Sequence, residues 1–328
     1  MRRTLQAGLV AISLLGGVFS TSTPAQAKKA RRAADSSSID YRLSIPDPAS
    51  RYVEVSVQVP TKSKRTQMAM PAWSPGSYLI RDFGRHVYDV VAKGTDDKPL
   101  KVKRLDKQTW EVANGGQAFT LSYRVYANEL SVRTSYVDDR AALLNGPALF
   151  MYQEGGQARP TSLRTGELPA GWRVHTSMQR DKGGSGPYLA KSYDVLADSP
   201  LMLGETQVRR FEVQGTKFEY VYVAPMGTNA DVDRLASDAK KVVTAFGDIM
   251  GGFPFPTYKF LAIADPNNGG GLEHLRSTAF ILRPYAFSSD AAYTSAASLA
   301  AHEFFHGWNV KRIHDEVLGP FDYTQETY

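Results

Sequence analysis

Val53, Val55, Val57 and Val59 alternate with Glu54, Ser56 and Gln58, a period of two that gives a strand one apolar face. Pro60 closes that strand, since it has no amide hydrogen for a ladder. Val87 to Ala92, Trp110 to Val112, Phe119 to Tyr126 and Arg209 to Val213 also read as strands. Turn formers such as Asn114-Gly115-Gly116 and Gly183-Gly184-Ser185-Gly186 punctuate them. Long helical periodicity is hard to find in this stretch. The pattern predicts a mostly antiparallel, sandwich-like β domain over residues 41–211, about 170 residues long.

The pattern then changes character. Phe218 to Val223 is another strand, and Pro225-Met226-Gly227 a turn. Asn229 or Asp231 caps a helix reaching Met250, with Val232, Leu235, Ala239, Val242, Val243, Phe246 and Ile249 on one face. Gly251-Gly252 ends it. Strands from Lys259 to Ala264 and from Ser277 to Leu282 flank a glycine-rich loop, and Thr294 or Ser295 caps a last, alanine-rich helix. Interleaved strands and helices mark a second domain over residues 212–328, so the fold class is α+β. A chain of 328 residues with 42% hydrophobic and 22% charged positions suits two ordinary globular cores.

The first 27 residues read separately. Arg2 and Arg3 precede an apolar stretch from Leu9 to Phe19, and Ala25-Gln26-Ala27 offers the small residues a signal peptidase accepts. The apolar stretch is too short to span a bilayer. The expectation is an exported protein, periplasmic or secreted, cut after Ala27 and without a stable membrane anchor. Lys28, Lys29, Arg31 and Arg32, with the serines behind them, suggest a solvated, disordered leader over residues 28–40. Loss of residues 1–27 removes two arginines and no acid, taking the formal charge from +6 to +4. Little positive charge is then left for the folded part, which argues against nucleic acid as a partner. The chain has no cysteine, so disulfides and a thiol nucleophile are excluded.

The candidate chemistry lies in His302-Glu303-Phe304-Phe305-His306. Two histidines at i and i+4 share a helix face one turn apart, so both imidazoles reach one metal ion. Zinc accepts such nitrogens and leaves room for water. Glu303, beside the first ligand, is positioned to act as general base. Phe304 and Phe305 are expected to pack the helix into the core. Trp73-Ser74-Pro75-Gly76 reads as a structural turn, and Arg81 with Asp82 as a local ion pair.

The longer run HEFFHGWNVKRI from His302, followed by Leu318-Gly319-Pro320-Phe321-Asp322-Tyr323, resembles the M61 family of metallopeptidases, the glycyl aminopeptidase relatives. Pro71-Ala72-Trp73-Ser74-Pro75-Gly76-Ser77-Tyr78 with Arg81-Asp82-Phe83 resembles the signature of that family's N-terminal β domain. Gly270-Gly271-Leu272-Glu273-His274 is a third match. The resemblance implies a β domain, then a thermolysin-like zinc peptidase domain, usually with a PDZ domain further on, and a peptide substrate. The last run is also similar to the Gly-x-Met-Glu-Asn element of related aminopeptidases, which assigns Glu273 to the substrate's free α-amine, with His274 departing from the asparagine. A third zinc ligand remains to be found. Glu326 lies twenty positions after His306, near the thermolysin-like spacing. The family's ligand glutamate instead sits in a Glu-Gly-Phe-Thr-like run, which is expected beyond Tyr328. Tyr323 and Tyr328 are available to stabilise an oxyanion, but nothing singles them out. The reading is thus a zinc aminopeptidase whose catalytic domain is only partly present. An endopeptidase and a catalytically incomplete peptide-binding protein are the alternatives.

Overall fold

The alternating valines build the middle of the largest sheet. In a computed structural model, residues 37–77, 79–181, 184–316 and 319–324 are described. The expected signal peptide and Glu326 and Tyr328 lie outside them. Tyr52–Val59 pairs along its full length with Phe119–Tyr126, Val53 opposite Val125 and Val59 opposite Phe119. All four valines are buried. On its other side runs Ile39–Ser44, so the chain enters the sheet before residue 40, where the leader was expected to end. Two four-stranded sheets complete the β half, and apart from Ile39–Ser44 beside Thr161–Thr165 its paired strands are antiparallel. One core fills it, from Ile39 and Tyr41 to Leu203. The short helix α1, Tyr193–Ala197, is capped by the Ser192 hydroxyl and closes this half near Asp198.

The fold is α+β. A five-stranded sheet follows, in the order Gln207–Val213, Thr216–Val223, Thr257–Ala264, Ser277–Leu282 and Gly270–Glu273. Residue 212 falls inside the first of these strands, which forms a hairpin with the second. The middle pairings are parallel and the last is antiparallel, so Gly270–Glu273 is the edge. The glycine-rich loop of the sequence reading is therefore partly a strand. Helix α2, Val232–Met250, is capped by the Asp231 carboxylate and ended by Gly251 at φ +73°. Helix α3, Asp290–Phe305, starts earlier than Thr294 or Ser295, because the Ser289 hydroxyl accepts from the Ala292 amide. Both helices pack on one face of the sheet through Val243, Tyr258, Phe260 and Phe304. The other face meets the β half, where Val221, Leu261, Ile263 and Ile281 pack against Val132, Leu143 and Met202. Burial on both faces makes Ser277–Leu282 buried at every position. The same seam joins the described residues from 37 onward into one compact unit.

Two local expectations are corrected. Asp82 pairs with Lys107 at 2.7 Å, and the Arg81 guanidinium donates instead to the Leu79 carbonyl at 3.1 Å. Asp82 takes a left-handed backbone, φ 50°, with both its amide and that of Arg81 donating to the Ala72 carbonyl, so the neighbouring side chains diverge. Phe304 is wholly buried, but Phe305 is 37% exposed and only stacks on Phe246. Phe304→Ala is expected to cost about 3–5 kcal/mol and Phe305→Ala less than about 1 kcal/mol. Urea unfolding of the two variants measures the difference, and equal losses would contradict this packing.

Candidate metal centre

Helix α3 carries His302 and Glu303 in its last turn and is capped by His306, and the structure groups Glu303 and His306 with Glu273, His302 standing beside His306. The two imidazole Nε2 atoms lie 3.1 Å apart, with ring centroids 4.7 Å apart and planes at 87°. His306 Nδ1 is 2.7 Å from the Asn309 carbonyl oxygen. A carbonyl only accepts, so Nδ1 carries the proton and Nε2 presents its lone pair. Two imidazole nitrogens facing each other at this distance need a proton or a cation between them. Tetrahedral zinc, with Zn–N near 2.0–2.1 Å, would space them by roughly 3.4 Å. The donor set, two imidazoles beside carboxylates, suits zinc better than magnesium or calcium, which favour oxygen alone.

Glu303 turns away from solvent, 5% exposed, and its carboxylate rests against the edge strand. A Cβ at Gly271 would come within 2.3 Å of the Glu303 carboxyl carbon, so only glycine admits the carboxylate there. Glu273 is buried at the end of the same strand, and a Cβ on Gly76 would stand 2.7 Å from its Oε1. Gly76 sits in the Trp73–Ser77 turn at φ +87°. That turn is structural, as expected, but it also forms one wall beside Glu273. Donor atoms of Glu273, Glu303 and His306 all lie within 4.8 Å of one another, and the described residues add no other carboxylate to the group. Burial, and then the negative charge of Glu273, push the Glu303 carboxyl up to about 7, with His306 and Arg133 pulling it back.

Other residues hold these parts in place, and of them the sequence reading had named only His274. Asp198, just after α1, accepts from the Leu275 amide at 2.7 Å and contacts His274 Nδ1 at 3.1 Å and Lys311 Nζ at 2.9 Å. It thereby binds the end of the Glu273 strand to the segment after α3. His274, where related enzymes have asparagine, is spent on this contact and is 2% exposed. Burial alone would raise the Asp198 carboxyl, but Lys311 and His274 bring it down to about 2. Arg312 donates to the Leu275 carbonyl at 3.2 Å and to Gly307, joining the same segments again. These roles explain the Lys-Arg pair in the HEFFHGWNVKRI run, the one signal that pointed here. Arg133 reaches in from the β half, its Nη2 3.5 Å from the Gly271 carbonyl. Tyr323 is excluded as an oxyanion group in this arrangement: it is buried in the β core and its hydroxyl donates to Asp194 at 2.7 Å.

Comparison with known proteins fits this arrangement. The model of the peptidase M61 N-terminal domain matches residues 40–205, half of the chain. This chain belongs to the M61 peptidase family. The M61 glycyl aminopeptidase model matches residues 295–328, which contain the histidine helix. An aminopeptidase N family protein from Idiomarina loihiensis has a similar structure, with TM-score 0.83 and 31% identity over 88% of this chain. The match covers 51% of that protein, so the M61 chain spans about half the length of this relative. An M1 zinc metallopeptidase from Deinococcus radiodurans has TM-score 0.48 and 15% identity, over 84% of this chain and 64% of its own, too distant to carry an argument. No curated protein sequence matches the chain significantly.

The Asp198 node has a pH signature. Its folded carboxyl titrates below the ordinary carboxylate value, so its contribution is present above about pH 4 and is lost as the pH falls towards 2. Asp198→Asn is expected to remove that part of the acid transition and to cost about 3 kcal/mol at pH 7. Thermal melts of both proteins from pH 7 to pH 2 measure it. An unchanged pH profile in the variant would contradict the node.

Proposed function

We propose that this M61 chain is the front part of an exported zinc aminopeptidase, in which His302 and His306 hold the metal, Glu303 is the general base and Glu273 binds the free α-amine of a peptide. The observation that carries this reading is the grouping, at the end of α3, of two facing imidazole nitrogens, a buried carboxylate above Gly271 and a second carboxylate beside Gly76. Bound zinc supplies a Lewis acid that polarises the scissile carbonyl and makes water acidic at neutral pH. Glu303, already raised towards neutrality by burial, takes the proton from the attacking water and returns it to the leaving amine. The open side of Gly270–Glu273 gives an extended peptide a strand to pair with. Glu273, at the end of that strand, then sets where the peptide's amino end stops.

Export is supported by the basic, apolar and small-residue order of residues 1–27. No helix among the described residues is long and apolar enough to cross a membrane. A division into a β domain over residues 41–211 and a peptidase domain over residues 212–328 is supported by the separate cores on either side of the seam, with the strand Gln207–Val213 running across the boundary. An endopeptidase remains the second reading. It shares the metal and the base and differs only at Glu273.

In the full-length protein, metal analysis is expected to find one zinc per chain, lost in His302→Ala and His306→Ala. Glu303→Gln is expected to keep the zinc and lose at least about a thousandfold in kcat. A protein that hydrolyses peptides equally well with Glu303→Gln would sink the assignment. Glu273→Ala should keep zinc and lose activity on unblocked peptides while sparing N-acetylated ones. Equal loss on both would reject the amine role and favour the endopeptidase.

A further inference from the structure

Beside the four residues already assigned lies a pair of arginines with no carboxylate of their own. Arg133 occupies the loop before the strand Tyr136–Val137, and the loop is firmly held. The Asn145 side-chain amide donates to the Arg133 carbonyl at 2.7 Å and to the Ser74 hydroxyl at 2.8 Å. The Arg133 amide donates to Ser131 Oγ at 3.1 Å, and the Thr134 hydroxyl to the Glu129 carbonyl at 2.7 Å. The backbone is thus clamped to the Trp73–Ser77 turn, while the guanidinium extends to the edge strand. Its Nη2 is 3.5 Å from the Gly271 carbonyl, and a Cβ on Gly270 would lie 3.7 Å from Nη1. The former distance is too long for a strong hydrogen bond, so most of its donors have no partner among the described residues.

The Arg81 guanidinium reaches the same turn, with Nη1 3.5 Å from the Ser77 carbonyl oxygen. Its guanidinium donates to the Leu79 carbonyl. Burial, and then the positive charge of Arg133, lower its pKa, which reports two half-buried cations within electrostatic reach of each other. Neither forms an ion pair among the described residues. Glu129 faces Arg85 at 3.7 Å, and the Glu303 carboxylate feels the charge of Arg133 without pairing with it. Neither of these carboxylates is hydrogen-bonded to the two guanidinium groups, and a planar guanidinium is well matched to a further carboxylate through paired hydrogen bonds.

We infer that Arg133, assisted by Arg81, is a subsite for a carboxylate of the substrate, two to three residues from its amino end. The position follows from the strand, and this step rests on Glu273 as the amine site. A peptide with its amine at Glu273 that pairs antiparallel along the edge passes Gly271 and Gly270. At about 3.3 Å per residue its second and third residues lie beside Arg133. That carboxylate is either the free C-terminus of a dipeptide or tripeptide, or an acidic side chain at those positions. The scissile bond, between the first and second residues, then falls beside Leu272, next to the Glu303 carboxylate that rests on Gly271.

Full-length protein and its Arg133→Gln, Arg133→Lys and Arg81→Gln forms are assayed on Ala-Ala, Ala-Ala-amide, Ala-Glu-amide and Ala-Gln-amide, with Ala-Ala-Ala and its amide for the third position. The parent is expected to favour a free C-terminal acid over its amide, or Glu over Gln, by about ten- to a hundredfold in KM with kcat little changed. The first preference identifies a terminal carboxylate and the second a side chain. Arg133→Gln removes the preference, read as the acid-to-amide and Glu-to-Gln KM ratios within each variant, whereas Arg133→Lys keeps part of it. Arg81→Gln weakens it less. The same preference in Arg133→Gln and the parent, or no preference in the parent, overturns the subsite. Calorimetric binding of the acid and amide forms to Glu303→Gln gives the comparison without turnover, so absent hydrolysis counts against the peptidase reading while the subsite is still tested.

Discussion

Asp198 is the point at which three distant stretches of chain are tied together. It stands 76 positions before His274 and 113 before Lys311, yet one carboxylate takes a contact from each and the Leu275 amide as well. A buried charge is tolerated only when its partners are in place, so the node forms only when the β half, the edge strand and the end of α3 have docked. The geometry of the site depends on that docking. Glu273 is aimed by the strand whose end Asp198 holds, and the histidine helix runs into the segment that Lys311 secures. The seam of Val221, Leu261 and Ile281 against Val132, Leu143 and Met202 supplies the apolar burial behind this charge.

The β half is therefore part of the site and not only an appendage to it. Gly76 walls Glu273, Arg133 approaches the edge strand and Asp198 locks its end. All three residues lie in the segment matched by the family's N-terminal domain. Close approach is the recurring device. Gly271 lets a carboxylate rest on the strand, and Gly76 brings the turn against the second carboxylate. Each glycine marks a surface that must stay open to a functional group.

Sequence pattern revealed what is local. The valine alternation, the Asp231 cap and the i, i+4 histidines each depend on residues within a turn or two of one another, and each appears where the pattern placed it. Ala141–Leu144 and Leu201–Gly204 were not legible, because burial on both faces erases the alternation. The edge strand read as a loop because glycines have little strand preference, and its role comes from tertiary contact with Glu303. Phe305 was misjudged because the helix end is open on that side. Asp198 and Arg133 lie in unremarkable sequence and acquire meaning only when the halves meet. Glu273 was reached through family resemblance, and its burial next to Gly76 now gives that assignment a physical setting.

The central claim is that His302 and His306 form the metal face of this helix with Glu303 held off it as a base. Anomalous diffraction at the zinc edge, on crystals of the zinc-loaded protein, tests it most directly. The account predicts one strong peak within bonding distance of both Nε2 atoms, about 2.0–2.1 Å, with the Glu303 carboxylate outside the first coordination sphere. A peak coordinated by Glu303 in place of either histidine, or no peak between the two imidazoles, would contradict it.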